Sequence, residues 1–351
     1  MKIPLKIVIA LALFLAVIQS YRVIESAGLL YAIEPHFSGQ CEAVYGTTGA
    51  EDITIDQTRQ YAYISADDRR ATIAKKPING GIYGLDISKS DAVPILLTKG
   101  FSKDFHPHGI SLYQNPHGEQ SLFVINHLRS GQNQVEIFDI NGVGELSHRV
   151  SISYPELQTP NDLVAVGASE FYATNDHGYP HGSFMAMMED YLGLALSNIS
   201  YFDGESGRIV ASGLMYGNGM AVSPDTKTMY VAEIMGRKIN IFDRNLLDGS
   251  LTKLDEIAVN SGADNLEWDE RGNLWFAGHP RLLEFAGHAE SAENISSSQV
   301  MKINVKAEPP SVSEVYMNLG DEISASSVAA VSGNLMLIGS VFEEHILRCK
   351  L

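Results

Sequence analysis

The chain has 351 residues, 42 of them acidic and 25 basic, for a formal net charge of -17. That balance argues against a nucleic-acid partner, because gripping phosphates takes clustered lysine and arginine. The length allows one large domain or two. Most of the excess carboxylate keeps the protein soluble, and a minority is available to hold a hard cation.

The N-terminus reads Met1-Lys2-Ile3-Pro4-Leu5-Lys6, followed by an unbroken apolar run from Ile7 to Ile18. Two lysines ahead of such a run predict a signal peptide or retained signal-anchor helix over residues 1–28. The run is short for a membrane span, and Ile24-Glu25-Ser26-Ala27 is a weak cleavage sequence. The body is therefore expected outside the cytosol, secreted or tethered by its N-terminus. Cys41 and Cys349 are the two cysteines of the chain. In an exported protein they are expected to pair, which brings the ends of the body together. Asn198-Ile199-Ser200 and Asn294-Ile295-Ser296 are glycosylation sequons, usable in a eukaryotic host.

Helical periodicity is scarce, and its best candidate after the N-terminus is Phe184 to Leu196. Elsewhere short β-rich runs alternate with turn residues. Six segments share one layout: a polar pair, an apolar run, a polar turn and a second apolar run. They begin at Glu51-Asp52, His108-Gly109, Asn161-Asp162, Asn218-Gly219, Asp264-Asn265 and Ser326-Ser327, at intervals of 57, 53, 57, 46 and 62 residues. That spacing suits a blade of four short strands, so residues 41–351 are predicted to form an all-β, six-bladed β-propeller. A solenoid is the alternative. Pairing of Cys41 with Cys349 favours a closed ring, which also removes exposed sheet edges.

In a propeller the first strand of each blade lines the axis, so the polar pairs should meet at one mouth of the tunnel. On a regular strand the two members of a pair point opposite ways and could serve two different centres. Glu51, Asn161, Asn218, Asp264 and Asn265 are hard oxygen donors of the kind calcium takes. Asp52 and Asp162 could hold a second cation deeper in the tunnel, helped by a backbone carbonyl. Zinc suits such a set less well, because thiolate is absent and imidazole lies only at the rim. A single Asn-Asp pair is ordinary turn chemistry, but five donors at equivalent places are not. His127 and His279 end second runs and should be delivered to the same rim, beside His108. Calcium below, with His108 and His127 on the wall, points to ester hydrolysis: a polarised carbonyl, and water activated by a histidine. His106, His117, His148, His177 and His181 are expected to be structural.

These residues resemble the paraoxonase family of calcium-dependent lactonases and arylesterases. The resemblance rests on Gly49-Ala50-Glu51-Asp52, Pro107-His108-Gly109-Ile110-Ser111, Val124-Ile125-Asn126-His127, Asn161 to Gly167, Tyr172 to His177, Gly217-Asn218-Gly219 and Asp264-Asn265. It implies two calcium ions. The catalytic ion would take Glu51, Asn161, Asn218, Asp264 and Asn265, and the structural ion Asp52, Asp162 and the carbonyl of Ile110. It also implies a His108–His127 dyad, a further active-site histidine at His279, a ring-closing Cys41–Cys349 disulfide, and an N-terminus that associates with a membrane or lipid particle. The sequence departs from the family at Gly278, where animal members often carry cysteine, and at Ser327 and Tyr216 on the pocket wall. Two other readings remain: a one-metal sugar lactonase of the broader calcium-propeller superfamily, and a non-catalytic exported propeller stapled by calcium.

Overall fold

A computed structural model describes residues 4–101 and 103–351. Lys2 of the signal pattern lies outside them. Six four-stranded antiparallel sheets surround one axis. Their innermost strands are Ala50–Asp56, Pro107–Gln114, Pro160–Ala165, Gly217–Val222, Gly262–Trp268 and Ser326–Ser332. We number the blades one to six in that order. The expected propeller is therefore the observed fold.

The reason so many strands are apolar on both faces is visible in the packing. Each of six buried clusters fills the interface between two neighbouring blades. In the strand Gln120–His127, Phe123 and Ile125 face blade three, whereas Leu122 and Val124 face blade one. Each Leu, Ile or Phe fully buried in this way contributes about 1.5–3 kcal/mol of transfer free energy. Outer strands meet water on one side and alternate, as Glu145–Ile152 does.

Blade six closes the ring. Its outermost strand is Gln40–Tyr45, from the N-terminal end of the body, paired antiparallel with His345–Lys350. Cys41 faces Cys349 in that register, and the two are joined by a disulfide. The remaining elements decorate one end. Leu5–Ser26 is a 22-residue helix, long and apolar enough to cross a membrane. The helix expected from Phe184 to Leu196 stops at Leu192. Ser183 caps its start, and Gly193, with φ 58°, ends it in the left-handed conformation. Leu282–Glu290 is a further helix that no apolar periodicity announced. Of the two sequons, Asn294 is exposed, whereas Asn198 lies in a strand and its amide accepts from Asn175.

Candidate metal centre and active site

Every innermost strand slips register at its polar pair. The shifts fall between Ala50 and Asp52, Pro107 and Ile110, Pro160 and Leu163, Gly217 and Met220, Ala263 and Leu266, and Ser326 and Val328. Strict alternation is broken at these bulges, which re-aim side chains where the strands begin. Two of the pairs carry glycine for a steric reason. A Cβ on Gly109 would sit 2.5 Å from Asp162 Oδ1, and one on Gly219 would sit 2.3 Å from the Asp264 carbonyl oxygen. Neighbouring strands converge there too closely for any side chain.

The candidate donors lie at or beside these bulges. Glu51, Asn161, Asn218, Asp264 and Asn265 are all buried. Asn265 Nδ2 donates to Glu51 Oε1 at 2.8 Å and to the Glu51 carbonyl at 3.0 Å, so these two strands are tied together. Ser327 Oγ of blade six also donates to the Glu51 carbonyl, at 2.6 Å. One oxygen on each of the five donors is left over: Glu51 Oε2, Asn161 Oδ1, Asn218 Oδ1, Asp264 Oδ1 and Asn265 Oδ1 are buried without a hydrogen-bond partner among the described residues. A fold does not leave five acceptors unpaired in one place without a donor or cation to meet them. The set of two carboxylates and three amide carbonyls fits a calcium ion.

The charges agree. Burial, with Glu51 adding to it, pushes Asp264 well above the usual carboxylate range. Burial would also raise Glu51, but the facing His108, Arg69 and Asn265 outweigh it and bring it to about 2. Deeper in, Asp52 accepts from the amides of Ile53 and Ile110, and Asp162 from those of Leu163 and Met220. Burial still drives both carboxyls far up, and Asp162 and Glu51 add to the effect on Asp52. Asp52, Asp162, Ile110 and Glu267 border a tunnel cavity of about 310 Å³. Spare carboxylate lone pairs on Asp52 and Asp162, in a cavity otherwise lined largely by apolar side chains, fit a second cation.

The histidines divide into two kinds. His108 Nδ1 lies 2.8 Å from His127 Nε2, and His127 Nδ1 lies 2.7 Å from Asn133 Oδ1. Asn133 Nδ2 donates to the Gln158 carbonyl, which orients the amide. Asn133 Oδ1 therefore accepts, His127 carries its proton on Nδ1, and His127 Nε2 accepts from His108 Nδ1. That leaves His108 Nε2 facing the pocket, 3.4 Å from Glu51 Oε1. Desolvation, reinforced by His108, depresses His127 to about 3, so it is neutral at physiological pH. His279 is not on the rim: it is fully buried, stacked on Phe285 of the helix Leu282–Glu290, with Nε2 2.9 Å from Asp264 Oδ2. Burial takes it to about 3 as well.

Among the histidines expected to be structural, His106 pairs with Asp67 and His148 with Glu136, each at 2.8 Å. His177 and His181 instead join Asp176 in a tight cluster at the same end of the tunnel. Two groups escaped the sequence reading. Arg69, on the short helix Arg69–Ile73, donates to the carbonyls of Gly49 and Pro107 beside the ring. The cluster at Asp176 had a signal in the spacing Asp-His-x-x-x-His.

The class is that of six-bladed propellers whose candidate site lies where the inner strands begin, with buried oxygen donors there and the His108–His127 pair beside Glu51. Solved structures agree on the fold: a luciferin-regenerating enzyme superposes with a TM-score of 0.57 at 14% identity, covering 90% of this chain and 96% of its own. A gluconolactonase from Xanthomonas campestris gives 0.55 at 15%, covering 89% and 90%. The arylesterase family model matches residues 70–351. Serum paraoxonase/arylesterase 1 of Homo sapiens is 34% identical over 334 residues, 92% of each chain, and serum paraoxonase/arylesterase 2 of Gallus gallus is 33% identical over 330, 91% of each. The chain belongs to the serum paraoxonase/arylesterase family of ester hydrolases.

Proposed function

We propose that the protein hydrolyses lactones and aryl esters with the help of calcium. The observation that carries this reading is the set of five unpartnered buried oxygens beneath the His108–His127 pair. Glu51, Asn161, Asn218, Asp264 and Asn265 would hold the catalytic ion, and Asp52, Asp162 and the Ile110 carbonyl a structural one. The chemistry such an ion would supply is Lewis-acid polarisation of the ester carbonyl and compensation of the negative charge on its oxygen.

The protein's own residues do the rest. His108 Nε2 takes the proton of the attacking water. His108 Nδ1 is held by His127 Nε2, and Asn133 fixes the tautomer of His127, so His108 presents a lone pair to the pocket. His127 is too weak a base to take that proton as a resting acceptor and serves to orient His108. His279 donates to Asp264 and so positions a ligand rather than touching substrate. Tyr216 and Ser327 wall the site.

Loss of lactone and phenyl acetate hydrolysis in chelator, and its return with calcium, supports this reading. Activity that survives complete calcium removal overturns it. Asp52 and Asp162 on one tunnel cavity, which a one-metal sugar lactonase would not need, favour two ions, and counting calcium per chain separates the two.

The N-terminal helix is read as an export signal or retained anchor. It exposes Leu11, Leu13, Phe14 and Val17, and Gln19 reaches the Leu192 carbonyl of the second surface helix, which exposes Phe184, Met187 and Tyr191. This apolar end suits a membrane or lipid particle.

A further inference from the structure

We propose a separate transition-metal site, suited to zinc, built from Asp176, His177 and His181 on the rim of the tunnel. Asp176 Oδ1 lies 2.9 Å from His177 Nδ1 and 3.2 Å from His181 Nε2. Donor atoms of the three residues all fall within 4.8 Å of one another. Two imidazoles and one carboxylate form a nitrogen-rich set that suits zinc and its neighbours, whereas the calcium ring offers oxygen alone. Three protein ligands leave a fourth position open, and exposed His181 turns that position toward solvent.

The surroundings are those of an organised site. Metal-bound imidazoles almost always give their other N–H to a carboxylate or carbonyl. His177 Nε2 lies 3.0 Å from Asp190 Oδ1, on the helix Phe184–Leu192. The backbone is fixed on both sides. The Asp176 amide donates to the Thr159 carbonyl at 2.9 Å, and Thr159 Oγ1 donates to the His177 carbonyl at 2.8 Å. The Gly178 amide donates to Glu189 Oε1 at 3.0 Å, tying the loop to the same helix. His177 also meets the Tyr216 ring edge-on, with centroids 4.9 Å apart. A bound metal would therefore clamp residues 177–183 against the substrate-facing wall. Both cysteines are joined in a disulfide, so no thiolate competes for the ion.

The test uses the untagged full chain in excess calcium, titrated with cobalt(II) as a spectroscopic stand-in for zinc. The expected result is saturable uptake of one equivalent, visible absorption typical of low-coordinate cobalt, bleaching by zinc, and no loss of calcium. His181→Ala, at an exposed position, should abolish the absorption. Asp190→Asn, which removes only the carboxylate behind His177, should weaken zinc binding by about 10–100-fold. Absence of saturable uptake, uptake that His181→Ala leaves unchanged, or cobalt entering only as calcium leaves would each overturn the proposal. The readout is independent of ester hydrolysis.

Discussion

Asn161→Ala separates a metal ligand from a packing residue. The Asn161 side chain is buried, and its Oδ1 has no hydrogen-bond partner. In chelator that orphaned carbonyl costs the fold about 1–3 kcal/mol, a cost the substitution removes. The lost packing is of similar size, so the two effects nearly cancel and unfolding free energy should move by no more than about 1 kcal/mol. On the proposed reading the same oxygen is a calcium ligand. If its loss weakens binding a hundredfold, mass action removes about 2.7 kcal/mol at calcium concentrations well above both dissociation constants. Urea unfolding followed by the fluorescence of Trp268 and Trp275 measures both conditions. The expected difference between them is about 2–3 kcal/mol. Equal destabilisation in calcium and in chelator would refute the reasoning, because Asn161 would then be a packing residue.

His108→Gln should lower kcat on phenyl acetate by about 10²–10⁴, and His127→Gln by less, because glutamine keeps an acceptor for His108 Nδ1. The reverse ranking would overturn the choice of base. His279→Ala should weaken calcium binding by about 10–100-fold through the loosened Asp264, read as calcium affinity by titration calorimetry. The pH dependence has a defined sign. In the ion-free protein Asp52, Asp162 and Asp264 hold protons more tightly folded than unfolded. Between the ordinary carboxylate range and those raised values, the ion-free fold binds the extra protons, so its stability falls as pH rises through that window. Calcium should suppress the fall, and thermal midpoints in chelator that climb with pH there would count against the assignment. Replacing both Cys41 and Cys349 by serine removes a cross-link spanning 308 positions. The chain-entropy model puts the upper limit of the loss at about 6 kcal/mol, measurable as a lower urea midpoint.

The blade count could be read from the sequence because inner strands pack on both neighbours and so appear as unbroken apolar runs such as Leu122-Phe123-Val124-Ile125. Outer strands could not, because a half-solvated strand such as Glu145–Ile152 differs little from a loop in composition. Glu51, Asn161, Asn218, Asp264 and Asn265 stood out as candidate donors because four repeats open on a polar pair that carries them. The register slips beside those donors were not legible, since one extra residue in a strand leaves no compositional trace. His279 looked like a rim residue because its strand ends there, and only the helix Leu282–Glu290 folding over it hides it from solvent. His177 and His181 looked ordinary singly: Asp176 stands beside His177 in the sequence, but only the fold turns His181 back onto it and brings Asp190 of the helix Phe184–Leu192 to His177.

The seam in the last blade sets the timetable of assembly. Gln40–Tyr45 emerges from the ribosome first among the strands, yet its partner His345–Lys350 emerges last. Until His345–Lys350 has been made, Gln40–Tyr45 has no strand to pair with and Cys41 has no cysteine to join. Uptake of the proposed ion would therefore belong to the finished chain.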